Sequence, residues 1–212
     1  IYDNDLKISS NLNKISKLNK IKKLTLGNSK SSFKIIDHQF LKDEQQITFR
    51  FDKKKYSFST KLIGRVQIKN LLMAIMAAMK SKISLKKILK SIQKIKSVNG
   101  RLEKIGNLYN NGIVILDYAH TPDALITCIK NVKEQFKLRK INLVFGCGGE
   151  RDKPKRKLMG RIANRYCDKI YLTDDNPRGE DPKKIRKDIK SNISKNKVCL
   201  LYTSPSPRDS GQ

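Results

Sequence analysis

The chain has 212 residues, of which 38% are hydrophobic, so it is long enough to form one large or two modest domains with a real core. No stretch of about 18 consecutive apolar residues occurs, which excludes a membrane-spanning helix. The formal net charge is +28, a value that suits nucleic-acid binding. The lysines are spread along the chain, however, and Lys, Ile and Asn share A/T-rich codons, so a solvated basic surface is the favoured interpretation.

The cysteines and the N-terminal residues narrow down the class of protein further. The four cysteines are widely spaced, no Cys-x-x-Cys pair occurs, and there are only two histidines. This pattern argues against a zinc site and favours free thiols in a reducing cytoplasm. The chain starts at Ile1 without a Met or a signal-peptide pattern, from which we expect a fragment of a longer protein.

The first hundred residues predict β structure followed by helices. Residues 1–32 have weak apolar periodicity and predict only short strands and loops. Alternating apolar residues predict strands over residues 32–40 and 46–60, the second segment folded as a hairpin. Apolar residues at every third or fourth position predict helices over residues 68–80 and 84–97.

From Gly112 onward the pattern changes to alternating strands and helices. Short apolar runs predict three strands, over residues 113–116, 141–145 and 168–172. Segments that begin with proline predict three helices, over residues 122–136, 154–166 and 182–193. This alternation predicts a parallel sheet with right-handed crossovers, and a domain boundary near residues 98–106.

Two polar loops follow predicted strands, which is where open α/β sheets bind their ligands. They are residues 146–153 (Gly-Cys-Gly-Gly-Glu-Arg-Asp-Lys) and residues 173–178 (Thr-Asp-Asp-Asn-Pro-Arg). Together the loops offer two arginines and several carboxylates, which suit a small zwitterion with amino and carboxylate groups. The glycine spacing is not Gly-x-Gly-x-x-Gly, so we reject NAD binding.

Four segments resemble the ATP-dependent Mur ligases of peptidoglycan synthesis, and the order and spacing match from residue 62 to residue 193. The segments are residues 117–125 (Asp-Tyr-Ala-His-Thr-Pro-Asp-Ala-Leu), 144–153 (Val-Phe followed by the first loop), 157–160 (Lys-Leu-Met-Gly) and 173–182. Within the family, the chain resembles most the members that add meso-diaminopimelate to UDP-MurNAc-L-Ala-D-Glu.

The resemblance implies an α/β fold in two domains. Residues 1–100 are expected to be the end of the central ATPase domain, with a β hairpin and helices. Residues 101–198 are expected to be most of a Rossmann-like, parallel-sheet C-terminal domain. Residues 199–212 resemble translated adapter sequence, and we interpret them as a non-native tail, or alternatively as a disordered Ser/Pro tail.

The resemblance assigns four residues to ATP. Asn70 is expected to contact the adenine, Arg101 to pack near the nucleotide at a domain hinge, and Asp117 to accept hydrogen bonds from ribose hydroxyls. His120 is expected near the nucleotide, but not as a general base. Taken alone, the same residues could be a helix-terminal Asn, a surface Arg, a helix-capping Asp and a turn His with a backbone partner.

Arg151, Asp175, Asn176 and Arg178 form the amino-acid site by resemblance. Meso-diaminopimelate has a second carboxylate that lysine lacks, and an arginine fork binds a carboxylate bidentately. Asp175 and Asn176 can hold an ammonium and a carboxylate respectively. The alternatives are a turn signalled by Asn-Pro and a solvated Arg178.

The resemblance also implies a reaction, which is ligation through an acyl phosphate in the bacterial cytoplasm, by a monomer that uses ATP and Mg²⁺. No Gly-x-x-x-x-Gly-Lys-Ser/Thr loop occurs in this sequence, and the Mg²⁺ ligands are expected upstream. We therefore assign no catalytic or metal-binding residue here, and expect the fragment to be inactive alone. The alternatives are a lysine-adding or other Mur ligase paralogue and, in another class, a non-catalytic basic nucleic-acid-binding protein.

Overall fold

The computed structural model describes residues 1–28 and 30–201 of the chain. It divides into two compact units, and the division falls between Asp117 and Tyr118. Within the described ranges, no helix is long and apolar enough to cross a membrane.

The first unit is built on a five-stranded mixed sheet. Its strands, in sheet order, are β1 (Tyr2–Asp3), β2 (Thr25–Gly27), β3 (Phe33–Phe40), β4 (Gln45–Phe51) and β5 (Lys54–Thr60). The first three strands run parallel, while β4 is antiparallel to both neighbours. The predicted hairpin is confirmed, and Asp52 and Lys53 turn it with φ values of 47° and 60°, as a type I′ turn requires.

Helices accompany this sheet, and residues of the later two belong to its core cluster. They are α1 (Ser9–Leu18), α2 (Arg65–Lys80) and α3 (Leu85–Ser91), which continues into a 3-10 turn (Ile92–Lys94). The last two confirm the predicted helices with shifted ends. The prediction of only strands and loops before residue 32 was wrong at α1, where Ile8, Leu12 and Ile15 follow a helical spacing although none of the helix's side chains is buried. Phe33 and Phe49 stack at 5.1 Å in the core beneath Leu72 and Met76.

The first unit ends in a two-stranded antiparallel ladder of β6 (Glu103–Asn107) and β7 (Ile113–Leu116). We predicted β7 as a strand of the parallel sheet, and this was wrong. Val114 and Leu116 remain 40% and 51% exposed, and the hydrogen-bonded neighbour of β7 is β6. The sequence of β6 contains no apolar run that would predict a strand. The apolar run of β7 predicts a strand but does not show which strand it pairs with.

The second unit confirms the predicted parallel sheet. Its strands are β8 (Asn142–Phe145), β9 (Lys169–Leu172) and β10 (Val198–Leu200), with β9 in the middle. Its helices are α4 (Pro122–Gln135), α5 (Pro154–Tyr166) and α6 (Pro182–Lys190), each with proline in its first turn, where the missing N–H costs nothing. The core lies between helices and sheet, with Leu125, Met159, Ile170 and Ile189 buried.

The segment that we interpreted as a tail begins inside this sheet. Cys199 and Leu200 belong to β10, and Cys199 pairs with Tyr171 of β9. Residues 202–212, the rest of that segment, lie outside the described residues.

Candidate functional site

The two polar loops predicted from the sequence meet where β8 and β9 end. We call residues 146–153 the glycine loop and residues 173–181 the acidic loop. Strand pairing continues into the loops, since Thr173 N–H donates to the carbonyl of Phe145 at 3.1 Å. Further along, Gly149 N–H donates to the carbonyl of Asn176 at 2.9 Å. The two loops are therefore joined along their length.

Glycine is required where the loops approach each other. A Cβ on Gly149 would lie 1.8 Å from the carbonyl oxygen of Pro177. A Cβ on Gly146 would lie 2.6 Å from the carbonyl oxygen of Thr173. The glycines thus serve close backbone packing between two loops. Sequence reasoning excluded NAD from their spacing but did not find this role.

The acidic loop holds Arg178 in a defined position. Asp175 Oδ1 accepts the N–H of Asn176 at 2.8 Å, and Asn176 Oδ1 accepts the N–H of Arg178 at 3.2 Å. Arg178 has a left-handed backbone with φ of 50°, which a non-glycine residue adopts only when its surroundings support it. Its Nη1 donates to the carbonyl oxygen of Gly149 at 2.5 Å. The loop therefore presents Arg178 against the glycine loop.

Arg151 lies on the glycine loop and, unlike Arg178, is not held by contacts within the chain. Its side chain is exposed and makes no hydrogen bond or ion pair with the rest of the described chain. The structure thus brings together the two loops that carry all four residues predicted for the amino-acid site. Two of these residues, Asn176 and Arg178, already order the crevice, while Arg151 is free to meet a ligand.

Sequence reasoning missed a buried ionic network beneath the loops. Arg156, on α5, has only 1% of its side chain exposed. Its guanidinium forms a fork with Glu180, with distances of 2.9 and 3.0 Å, and also donates to Asp188 at 3.1 Å. Its Nε is buried without a partner among the described residues. In the sequence, Arg156 stands in a basic run that is typical of a solvated face, so no signal marked it.

This network controls the charge of Glu180. Its pKa is lowered from the ordinary value of 4.5 to about 2, first by the hydrogen bonds from Arg156 and then by the N–H of Glu150. The same carboxylates raise the pKa of the Arg156 guanidinium. A second pair joins Asp174 of the acidic loop to the buried Arg186 of α6. Two arginines therefore anchor the acidic loop to the helices.

The residues predicted for ATP fall on both units. Asn70 is exposed in the second turn of α2, so it is not a helix terminus. Arg101 lies beside the same helix, because its carbonyl accepts from Gln67 Nε2 at 2.7 Å. Asp117 Oδ2 accepts the N–H of Leu102 at 2.9 Å, and does not cap a helix. In the first unit, Arg101 therefore contacts α2 directly, and the next residue, Leu102, contacts Asp117.

His120 belongs to the second unit and lies just before α4. Its Nδ1 donates to the carbonyl oxygen of Tyr118 at 3.0 Å, so the ring has a backbone partner two residues earlier. Its own carbonyl accepts from Lys155 Nζ at 3.1 Å. The helix itself is capped by Thr121, whose hydroxyl accepts the N–H of Ala124. In the part of the chain that the structure describes, no cluster of His, Cys, Asp and Glu could hold a metal ion.

The parallel sheet, with its paired strand-end loops, places the second unit among α/β ligand-binding domains. Comparison with known protein families identifies the family within this class. The Mur ligase middle domain matches residues 1–78, and the Mur ligase glutamate ligase domain matches residues 100–205. The chain belongs to the Mur ligase family.

Individual relatives agree with this assignment. Over 177 residues the chain is 44% identical to the UDP-N-acetylmuramoyl-L-alanyl-D-glutamate–2,6-diaminopimelate ligase of Rickettsia bellii (strain RML369-C), a match that covers 82% of this chain and 36% of the relative. The enzyme of the same name from Prochlorococcus marinus subsp. pastoris is 40% identical over 197 residues, covering 89% of this chain and 38% of the relative. A solved structure of such a ligase aligns with a TM-score of 0.64 at 28% identity, covering 98% of this chain and 43% of that one. The chain therefore spans well under half the length of these relatives.

Proposed function

We propose that this chain is part of an ATP-dependent ligase of peptidoglycan precursor synthesis, which adds meso-diaminopimelate to UDP-MurNAc-L-Ala-D-Glu. The observation that carries the proposal is the crevice between the glycine and acidic loops. There Arg178 is oriented by Asn176 and Gly149, and the exposed Arg151 lies on the opposite loop. The relatives whose names include 2,6-diaminopimelate support the same substrate.

The amino-acid substrate carries two ammonium and two carboxylate groups. Arg178 uses Nη1 on Gly149, so Nε and Nη2 have no partner among the described residues and can form a fork on a carboxylate. Asp175 Oδ2 can accept from an ammonium group, because only Oδ1 is used within the loop. Asn176 Nδ2 can likewise donate to a carboxylate. L-lysine has no second carboxylate and would leave one arginine without its partner.

The reaction forms an amide bond from a carboxylate and an amine through an acyl phosphate. ATP supplies the phosphoryl group that activates the carboxylate, and Mg²⁺ offsets the phosphate charge. The residues of this chain position the attacking amine, and such positioning can supply much of the rate. We assign no Mg²⁺ ligand to the described residues and expect those ligands, with the phosphate-binding loop, in the upstream part of the full protein.

The nucleotide is expected to contact Asn70, Arg101, Asp117 and His120. Asp117 fits a ribose, because its Oδ1 is available while Oδ2 holds Leu102. Asn70 fits an adenine edge, because its amide is exposed on α2. We further propose that the full protein acts as a monomer in the bacterial cytoplasm, without a nucleic-acid or membrane partner, and that this chain alone is inactive.

The test is a ligation assay of the full-length protein with ATP, Mg²⁺ and UDP-MurNAc-L-Ala-D-Glu. Meso-diaminopimelate and L-lysine are supplied in parallel, and the products are identified by mass together with phosphate release. We expect ATP-dependent addition of diaminopimelate, and a much lower kcat/KM for lysine. Better ligation of lysine would overturn the substrate assignment, and no ligation of either would overturn the activity.

A further inference from the structure

We infer that Arg156 is a positioning residue that, through Glu180, sets the spacing of Arg151 and Arg178 and thereby the preference for a ligand with two carboxylates. The inference rests on the proposed function but concerns residues that touch no ligand. Arg156 is among the most deeply buried side chains of the unit, with 1% exposure, although it carries a full charge. A buried charge of this kind is costly unless all its partners are in place.

Reciprocal hydrogen bonds join the two loops directly beside the two arginines. Glu180 Oε1 accepts the N–H of Glu150 at 2.6 Å, and Glu150 Oε1 accepts the N–H of Gly179 at 3.2 Å. Each loop thus supplies a carboxylate to the backbone of the other. Glu150 immediately precedes Arg151, and Gly179 immediately follows Arg178. The reciprocal pair therefore fixes the backbone positions from which both arginines extend.

Arg156, on helix α5, stabilises the reciprocal hydrogen bonds between the two loops. Its two terminal nitrogens bind both oxygens of Glu180, while Nη1 also reaches Asp188 and Nη2 reaches the carbonyl of Gly148 at 3.4 Å. One planar guanidinium therefore connects the glycine loop, the acidic loop and α6. A lysine at this position would keep the charge but could not reproduce the fork, because its ammonium is a point donor.

Arg156 also neutralises charge that would otherwise oppose the ligand. Glu180 and Asp188 are two carboxylates near a crevice that must accept carboxylates, and Lys153 lies 4.0 Å from the first of them. Without a well-placed guanidinium, these negative charges would repel the second carboxylate of diaminopimelate. Lysine, which has only one carboxylate, would be affected less. The network should therefore act on selectivity as well as on stability.

The experiment measures binding of meso-diaminopimelate and of L-lysine to the 212-residue chain by calorimetry. The variants are Arg156→Lys and a matched control, Arg161→Lys, which makes the same change at an exposed arginine of the same helix. We expect Arg156→Lys to weaken diaminopimelate binding by about tenfold, the equivalent of one charge-assisted hydrogen bond, and lysine binding by much less. The control should bind both ligands as the wild type does.

Other outcomes overturn the inference. An unchanged ratio of the two affinities in Arg156→Lys would show that Arg156 supports only the fold. Wild-type chain that does not bind diaminopimelate would show that the crevice is not assembled here, while the ligation assay would still judge the proposed function separately. If Arg156→Lys does not fold, Glu180→Gln decides, because its amide disrupts the fork without emptying the space. Removing the negative charge of Glu180 would by itself favour diaminopimelate, so a lost preference in this variant reports the lost positioning. A preference that is unchanged or higher would refute the inference.

Discussion

Arg178 donates from Nη1 to the carbonyl oxygen of Gly149 at 2.5 Å, so the arginine assigned to the second carboxylate is fixed by the backbone of the opposite loop. The contact is made within the chain itself, between the acidic loop and the glycine loop. Much of the entropy cost of ordering a long side chain is therefore met in folding, and less remains to oppose binding. The same contact makes the position of Arg178 depend on the glycine loop.

We expect Gly149→Ala to separate the two loops. Its Cβ would meet the carbonyl oxygen of Pro177 at 1.8 Å, and a backbone atom cannot move away as a flexible side chain can. The strain should lower the free energy of unfolding by about 1–3 kcal/mol, as overpacking does elsewhere, and should weaken diaminopimelate binding as well. Urea unfolding and calorimetry measure the two effects.

Gly106→Ala is the matched control for this substitution. Gly106 lies in β6, and nothing lies within 4 Å of the position its Cβ would take. Its unfolding curve should stay close to that of the wild type. A Gly149→Ala chain as stable as this control would contradict the close loop packing.

The pKa of Glu180 predicts how stability depends on pH. Its folded pKa is about 2 against an ordinary value of 4.5, because Arg156 and the N–H of Glu150 favour the carboxylate. The unfolded chain binds this proton at higher pH than the folded chain does, so the contribution is complete above pH 4.5 and is lost as pH falls toward 2. We expect the free energy of unfolding to fall with acid more steeply in the wild type than in Glu180→Gln.

The measurement is urea unfolding at a series of pH values through this window. Asp123→Asn serves as control, because it removes one carboxylate at an exposed position of α4. Its curve should keep the steep acid dependence of the wild type. If wild type and Glu180→Gln instead lost stability in parallel, the ion pair would not contribute as the geometry requires.

Sequence patterns identified elements whose side chains repeat regularly and failed where tertiary contacts decide. The three proline-started helices of the second unit were found because each combines a start signal with a buried stripe. Helix α1 has no buried face, and its short apolar spacing of Ile8, Leu12 and Ile15 is diluted by the Lys, Asn and Ser around it. The partner of β7 could not be predicted, because the polar sequence of β6 resembles a loop.

The candidate site shows the same limit. Two loops that follow parallel strands are brought together by the fold, so the sequence predicted the elements that carry Arg151 and Arg178. The network of Arg156 was not predictable in this way. Its partners Glu180 and Asp188 lie 24 and 32 residues further along the chain, and only the packing of α5 and α6 joins them.

Two buried thiols should resist alkylation in the folded chain. Burial is the first cause that raises the pKa of Cys147 and of Cys167 to about 11. At pH 8 only about one thiol in a thousand would then be the reactive thiolate. Cys199 is exposed and should react first with iodoacetamide, as mass mapping of peptides over time would show. All cysteines should react after unfolding, and fast labelling of Cys147 in the native chain would contradict its burial.

Arg151→Ala should separate a role in binding from a role in folding. Arg151 is exposed and has no partner in the described part of the chain, so its loss should change the free energy of unfolding by no more than about 0.5 kcal/mol. Its guanidinium is nevertheless expected to meet a carboxylate of diaminopimelate, and binding should weaken about tenfold. Arg161→Ala, on the outside of α5, should leave both quantities unchanged. Calorimetry beside urea unfolding measures both, and unchanged binding would remove Arg151 from the amino-acid site and leave Arg178 as its arginine.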